Sequence, residues 1–192
     1  MSLTVVEQKT LEALIRKRKP ISGAYYRSVE RRYMDPAQIL NGRGTELYGG
    51  RFAPVGTKGV YLANSDAGAS SEVLARKNRL GGASQISLDK YPRIVFAVDV
   101  ELERVVSLVR KPRNASLASI RKNSLDDDPA FSQDVGKFLV NAGVQGLLFK
   151  SRVGSGVNLL IFPDNCAPDQ LKVQKLDETI ETLKKIVTAY KP

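Results

Sequence analysis

YGGRFAPVGTKGVYLANSDAGASSE, residues 48–72, decides how the rest of the chain is read. It opens with Gly49-Gly50-Arg51. A turn at Pro54-Val55-Gly56 leads through Lys58-Gly59 into the apolar run Val60-Tyr61-Leu62-Ala63. Ser65 and Asp66 carry side chains that start helices, and the helix after them carries Glu72. Strand, cap and helix thus bring an arginine, a tyrosine and a carboxylate within about 22 residues, close enough to line one cleft. A cationic fork, a flat ring and an anion suit a ligand with phosphates, an aromatic base and a developing positive charge.

Upstream of this stretch, residues 23–29 read as a strand. Period two puts Tyr25 and Arg27 on one face and Tyr26 on the other. Residues 34–50 read as a long polar loop. Gly42, Gly44, Gly49 and Gly50 lack the Walker or Rossmann spacing and read as turn glycines. Residues 4–19 form a predicted helix: Thr4 and Glu7 have capping-box spacing, and Leu11, Leu14 and Ile15 make its apolar stripe. Arg16 to Lys19 give it a basic last turn, and Pro20 ends it.

Downstream, residues 66–80 read as a helix with Ala69, Val73 and Leu80 on one side and Gly81-Gly82 as its stop. Residues 94–102 alternate Ile94, Phe96, Val98, Val100 and Leu102 with the other face, the clearest strand in the chain. Residues 104–109 extend it or pair with it. Residues 111–128 read as a loop whose closing Asp126-Asp127-Asp128 is an acidic helix start, so no metal site is assigned. A helix from 129 carries Val135, Phe138, Leu139 and Ala142 and stops at Gly143. Residues 146–150 form a strand that delivers Ser151, and residues 157–162 return as its hairpin partner. A last helix is expected over 176–190. Helices and strands without strict βαβ alternation make an α+β fold, with a mixed, mostly antiparallel sheet, flanking helices and one domain over residues 1–192.

Composition narrows the chemistry. The chain has no histidine and a single cysteine, Cys166. Ser-His-Asp and Cys-His catalysis are therefore excluded, as are His-ligated zinc, thiolate zinc and iron–sulfur centres. Catalysis must rest on Arg, Lys, Tyr, Ser, Asp and Glu. The net charge of +10 favours anionic partners: nucleotides, nucleic acid or an acidic protein. No run reaches the roughly 18 apolar residues of a membrane span. With one thiol and no signal-peptide pattern, the expected location is cytoplasmic.

Several motifs, taken in order, resemble the RES-domain proteins, a family named for an arginine, a glutamate and a serine. They are Tyr26-Arg27, GGRFAPVGTKGVYLANSDAGASSE, Ser132-Gln133 with Gly136, and GVQGLLFKSRVGSGVNLLIF. The resemblance covers about residues 23–163. Phe52 stands where the family often has tryptophan, and the two terminal helices lie outside the matched region. The resemblance implies a fold related to ADP-ribosyltransferases, with NAD as substrate and no further cofactor. It also implies the toxin of a bacterial toxin–antitoxin pair, with an Xre-type antitoxin as partner and homo-oligomers allowed.

Residue chemistry agrees. Arg27 and Arg51 are the candidates for the NAD diphosphate, which a guanidinium binds through two parallel hydrogen bonds. Glu72 is the carboxylate that stabilises the oxocarbenium-like ribose formed when nicotinamide leaves. Tyr61, with Tyr26, offers a ring for stacking. Ser151 is placed to hydrogen-bond the ribose or the carboxamide. Three functions are compatible with this set. The first is NAD cleavage by hydrolysis or phosphorolysis. The second is transfer of ADP-ribose to a protein. The third, ranked last, is a basic nucleic-acid-binding module resting on Arg16 to Lys19 and lacking any recognised motif.

Overall fold

The structure is a computed structural model that describes residues 3–30, 33, 35–79, 93–109, 111–112, 114–153 and 155–175. Its longest element is β3 (Arg93–Ser107), whose Phe96, Val98, Val100 and Leu102 are all buried, as their alternation requires. β1 (Lys19–Glu30) runs antiparallel to β3, from Lys19 opposite Val105 to Glu30 opposite Arg93. It starts earlier than residue 23. Pro20 falls at the register shift between Lys19 and Ile21, where the ladder does not need the N–H that proline lacks.

β2 (Val60–Ala63) meets β1 at a single pair, Tyr26 opposite Ala63, and pairs along its length with β5 (Val157–Ile161). β4 (Gly146–Lys150) makes the expected hairpin with β5 and then lies parallel to β3 at Val105–Ser107. The order β1-β2-β5-β4-β3 therefore closes on itself through the β1–β3 ladder. β6 (Leu171–Val173), not foreseen from the sequence, adds antiparallel to β3. One parallel contact in an otherwise antiparallel sheet makes the fold α+β with a mixed sheet.

The two faces of this ring have separate cores. Val60, Leu62, Val98, Val100, Leu102, Val105, Leu159 and Ile161 fill the interior. On the outer face Leu147, Phe149 and Leu160 pack with Phe52 and three helices. These are α1 (Val5–Arg16) through Leu11, α5 (Ala115–Asn123) through Leu117 and Ile120, and α6 (Ala130–Asn141) through Val135 and Leu139. Leu11 is the one fully buried apolar side chain of α1, a contribution of about 2 kcal/mol, so the helix depends on its start. There Thr4 Oγ1 accepts from the Glu7 N–H at 3.3 Å, and Glu7 Oε2 accepts from the Thr4 N–H at 2.8 Å. Thr4→Ala is expected to lower stability by about 1 kcal/mol, read as a shift of the denaturation midpoint.

Three stretches differ from the sequence reading. Residues 34–50 are not an open loop: they hold α2 (Pro36–Ile39), whose Ile39 is buried, and α3 (Arg43–Tyr48), entered through Gly42 at φ 71°. Residues 111–128 contain α5, capped by Asn114 Oδ1 on the Leu117 N–H at 2.8 Å. Helix α1 stops at Arg16, because Lys19 and Pro20 belong to β1. At the start of α6, Asp128 Oδ1 accepts from the Ala130 N–H, a helix-start role for that acidic run. The expected helix at 176–190 and the glycine stop at 81–82 lie outside the described residues.

Candidate active site

α4 (Asp66–Arg79) begins directly after β2. Ser65 Oγ accepts from the Gly68 N–H at 3.0 Å and fixes the first turn. A Cβ on Gly68 would stand 3.3 Å from the Ala63 side chain, so this face of α4 lies on the sheet. Glu72 is four residues further, on the same face. Its Oε1 accepts from Ser151 Oγ at 2.5 Å and from Asn158 Nδ2 at 2.8 Å. Ser151 sits just past β4, where its Oγ also accepts from the Val153 N–H at 2.9 Å. The hydroxyl thus donates a hydrogen bond to Glu72 and accepts one from the backbone. Asn158 is a buried amide within the apolar strand β5.

The ladders place the other candidates around this cluster. Tyr26, Ala63 and Asn158 form one row across β1, β2 and β5. Neighbouring strands are about 4.8 Å apart, so β1 lies about 10 Å from the strand that holds Asn158. Tyr26 shares the face of Asn158. Arg27 points to the other face with Tyr25, as period two requires, opposite Phe96 of β3.

From there Arg27 Nη1 donates to the Tyr61 carbonyl of β2 at 3.5 Å, while its Nε is enclosed without a hydrogen-bond partner. Among the described residues no carboxylate pairs with Arg27. Burial, and then the positive charge of Arg93, push its pKa from 12.5 to about 10, so it stays charged at neutral pH. Arg93 is itself held by Ser28 and by Glu30 at 3.1 Å.

Arg51 reaches the neighbourhood by a different route. Its Nη1 donates to the carbonyls of Ser124 and Asp126, at 2.8 and 3.1 Å, in the segment between α5 and α6. Asp127 of that segment pairs with Arg152 at 2.6 Å, next to Ser151. In this geometry the guanidinium of Arg51 shapes the α5–α6 segment.

The turn that carries Arg51 is held from both sides. Ser132 Oγ donates to the Arg51 carbonyl at 2.6 Å, and Gln133 Nε2 to the Gly50 carbonyl at 2.9 Å. Tyr61 Oη accepts from the Phe52 N–H at 2.9 Å, and its ring meets Phe149 edge-on. A Cβ on Gly50 would lie 2.7 Å from Tyr61 Oη, so only glycine allows this ring beneath the turn. Tyr61 therefore has a structural task beside the stacking expected of it. The Gly49 and Gly50 N–H groups bond to Thr45 and Ala53 carbonyls, consistent with turn glycines.

A depression of about 470 Å³ opens beside the same turn, lined by Pro54, Val55, Gln133 and Lys137 among others. It contains none of Arg27, Glu72 or Ser151, so donor chemistry is the better guide to the site. Asn158 is the polar group that the sequence reading missed. Its only signal was an amide inside VNLLI, on the face where Leu160 packs.

A self-closing mixed sheet, with a carboxylate, hydroxyl and amide joined by hydrogen bonds beside it, defines an α+β fold with a candidate acid-bearing site. The RES domain model matches residues 23–182, and the chain belongs to the RES domain family. The match begins where the resemblance placed it and runs past residue 163. Comparison with curated proteins finds no match. Among solved structures, the chain is similar to a chain of the crystal structure of the M. tuberculosis MbcT–MbcA toxin–antitoxin complex. The two share 21% identity over 90% of this chain and 91% of that one, with a TM-score of 0.67. Among the described residues no helix is long and apolar enough to cross a membrane.

Proposed function

We propose that this chain is an NAD-consuming enzyme that cleaves the nicotinamide–ribose bond, and that it is the toxin of a toxin–antitoxin pair. One observation carries the enzymatic reading: Glu72 is held by two neutral donors, Ser151 and Asn158, and keeps its charge for something else. Arg27 supports it from the other side, as an enclosed guanidinium with no carboxylate partner among the described residues. An anionic ligand that meets both must pass from the Tyr26–Asn158 face to the face of β1 that carries Arg27, where β1 and β2 meet at a single pair.

In this reading Arg27 binds the diphosphate and Arg51 orders the α5–α6 segment around it, while Tyr26 offers the flat ring. The C–N bond breaks with its electron pair passing to the nicotinamide ring nitrogen. Positive charge builds on the ribose, where Glu72 stabilises it more in the transition state than in the ground state. Water then attacks the anomeric carbon and releases a proton to solvent, or phosphate attacks through an oxygen that is already ionised. Nicotinamide departs from a pyridinium as a neutral molecule and needs no proton to leave, so a chain without histidine is not handicapped.

Family membership and the fold shared with the toxin–antitoxin complex support the toxin reading. A protein antitoxin of Xre type, acidic where it meets a chain of charge +10, is the expected partner. Incubating the protein with NAD, with and without phosphate, tests the enzymatic claim. Free nicotinamide without protein labelling supports it. ADP-ribose attached to a protein supports the transferase reading instead. No turnover, with salt-sensitive nucleic-acid binding, overturns both.

Arg27→Met is expected to weaken NAD binding about 100-fold while raising the melting temperature. A base whose folded pKa lies below its unfolded value costs stability at every pH under the folded value, here about 10, so removing the charge relieves that cost. Titration calorimetry with a thermal melt reads both. Unchanged affinity would remove Arg27 from the site.

A further inference from the structure

Glu72 has two oxygens, and the fold treats them differently. Oε1 accepts from both Ser151 Oγ and Asn158 Nδ2. Oε2 makes no hydrogen bond among the described residues. Of the two donors, Asn158 is the more rigidly placed. It is 7% exposed, lies inside a strand paired on both edges, and stands opposite Ala63 on one side and Phe149 on the other. An amide nitrogen facing a carboxylate is also the only sensible orientation, since the amide oxygen would repel it.

Resting on the proposed NAD site, we infer that Asn158 is a positioning residue for Glu72. Together with Ser151 it saturates Oε1, so Oε2 is the oxygen presented to the reacting sugar. The arrangement fixes the carboxylate about its long side chain without neutralising it. A lysine or arginine at 158 would form an ion pair and remove the charge the reaction needs. An alanine would leave the carboxylate with the one donor on the turn after β4. The same logic gives Ser151 its place: with its proton on Glu72 and its lone pair on the Val153 N–H, it orients the carboxylate and does not itself meet the substrate.

The test uses the full-length protein and NAD. Asn158→Ala is expected to lower kcat on the order of 10- to 100-fold, since displacements of about 1 Å have such effects, with KM for NAD changed less than about twofold. In a Glu72→Gln background the same substitution should change nothing further, because its effect passes through the carboxylate. Asn158→Asp, nearly identical in shape, guards against a folding artefact. It puts an acceptor against Oε1 and should lose at least as much kcat. A raised KM with unchanged kcat, or an undiminished effect in the Glu72→Gln background, overturns the inference. A crystal structure of Asn158→Ala gives a readout independent of NAD. The Glu72 carboxylate should move, and an unmoved carboxylate overturns the inference too. If the wild-type protein releases no nicotinamide, the NAD reading falls, and this structure alone decides what Asn158 does.

Discussion

Glu72→Gln lowers nicotinamide release about 1000-fold and leaves the melting temperature where it was: that is the expected result with the largest effect on activity. Glutamine keeps an oxygen that can accept from Ser151 and Asn158, so the two hydrogen bonds at 2.5 and 2.8 Å have a counterpart in the variant. What disappears is the charge. Removing one preorganised electrostatic contact from a transition state costs about 100- to 1000-fold in kcat. A full negative charge beside a developing cation belongs at the upper end of that range. Glu72 is half-buried and, among the described residues, has no cationic partner, so its loss leaves no orphaned charge to destabilise the fold. Nicotinamide release assayed alongside thermal unfolding separates the two effects. A variant within tenfold of wild type would place the charge-stabilising role on another residue.

The largest effect on stability is expected at Gly136. Glycine to alanine inside a helix ordinarily stabilises it by about 1 kcal/mol. Here the sign reverses. A Cβ on Gly136 would stand 1.6 Å from the Phe52 carbonyl oxygen and 2.6 Å from its carbonyl carbon. Those are backbone atoms, so no side chain can swing aside. α6 or the turn must move, and Ser132 and Gln133 on the same helix lose their hold on the Arg51 and Gly50 carbonyls. Overpacking of this kind costs about 3 kcal/mol. Gly136→Ala should therefore shift the urea midpoint sharply downward, and activity should fall with it because the turn carries Arg51. A stabilised variant would mean that α6 does not rest on Phe52.

Much of this architecture was readable from residue order alone. The alternation at residues 94–102 gave a strand whose inward residues are the buried ones, and the hairpin at 146–162 formed with buried residues on both faces. The capping box at Thr4 and Glu7 marked the start of α1 to the residue. Short helices were harder. α5 has Leu117 and Ile120 as its buried residues, and α2 buries Ile39, so neither shows a periodic stripe long enough to read. β6 is three residues of LKV, below the length at which alternation means anything.

At the candidate site, the sequence reading singled out Glu72 and Ser151, and the structure joins them by a hydrogen bond. The further tasks of Arg51 and Tyr61 were not legible, because they depend on which backbone carbonyl or N–H lies next to them. Such partners come from segments 73 and 9 residues away in the chain. Asn158 was hidden for the opposite reason, since an amide in an apolar strand is only a defect until its partner is known.

The bonds that organise Glu72 span 79 and 86 residues of sequence. Local contacts form early and such distant ones late, because closing a long loop is entropically unfavourable until the rest of the structure rewards it. A nascent chain halted before residue 151 contains Glu72 but neither donor. The carboxylate therefore acquires its orientation only when synthesis has passed the β4–β5 hairpin, and a prematurely terminated product of the message is unarmed.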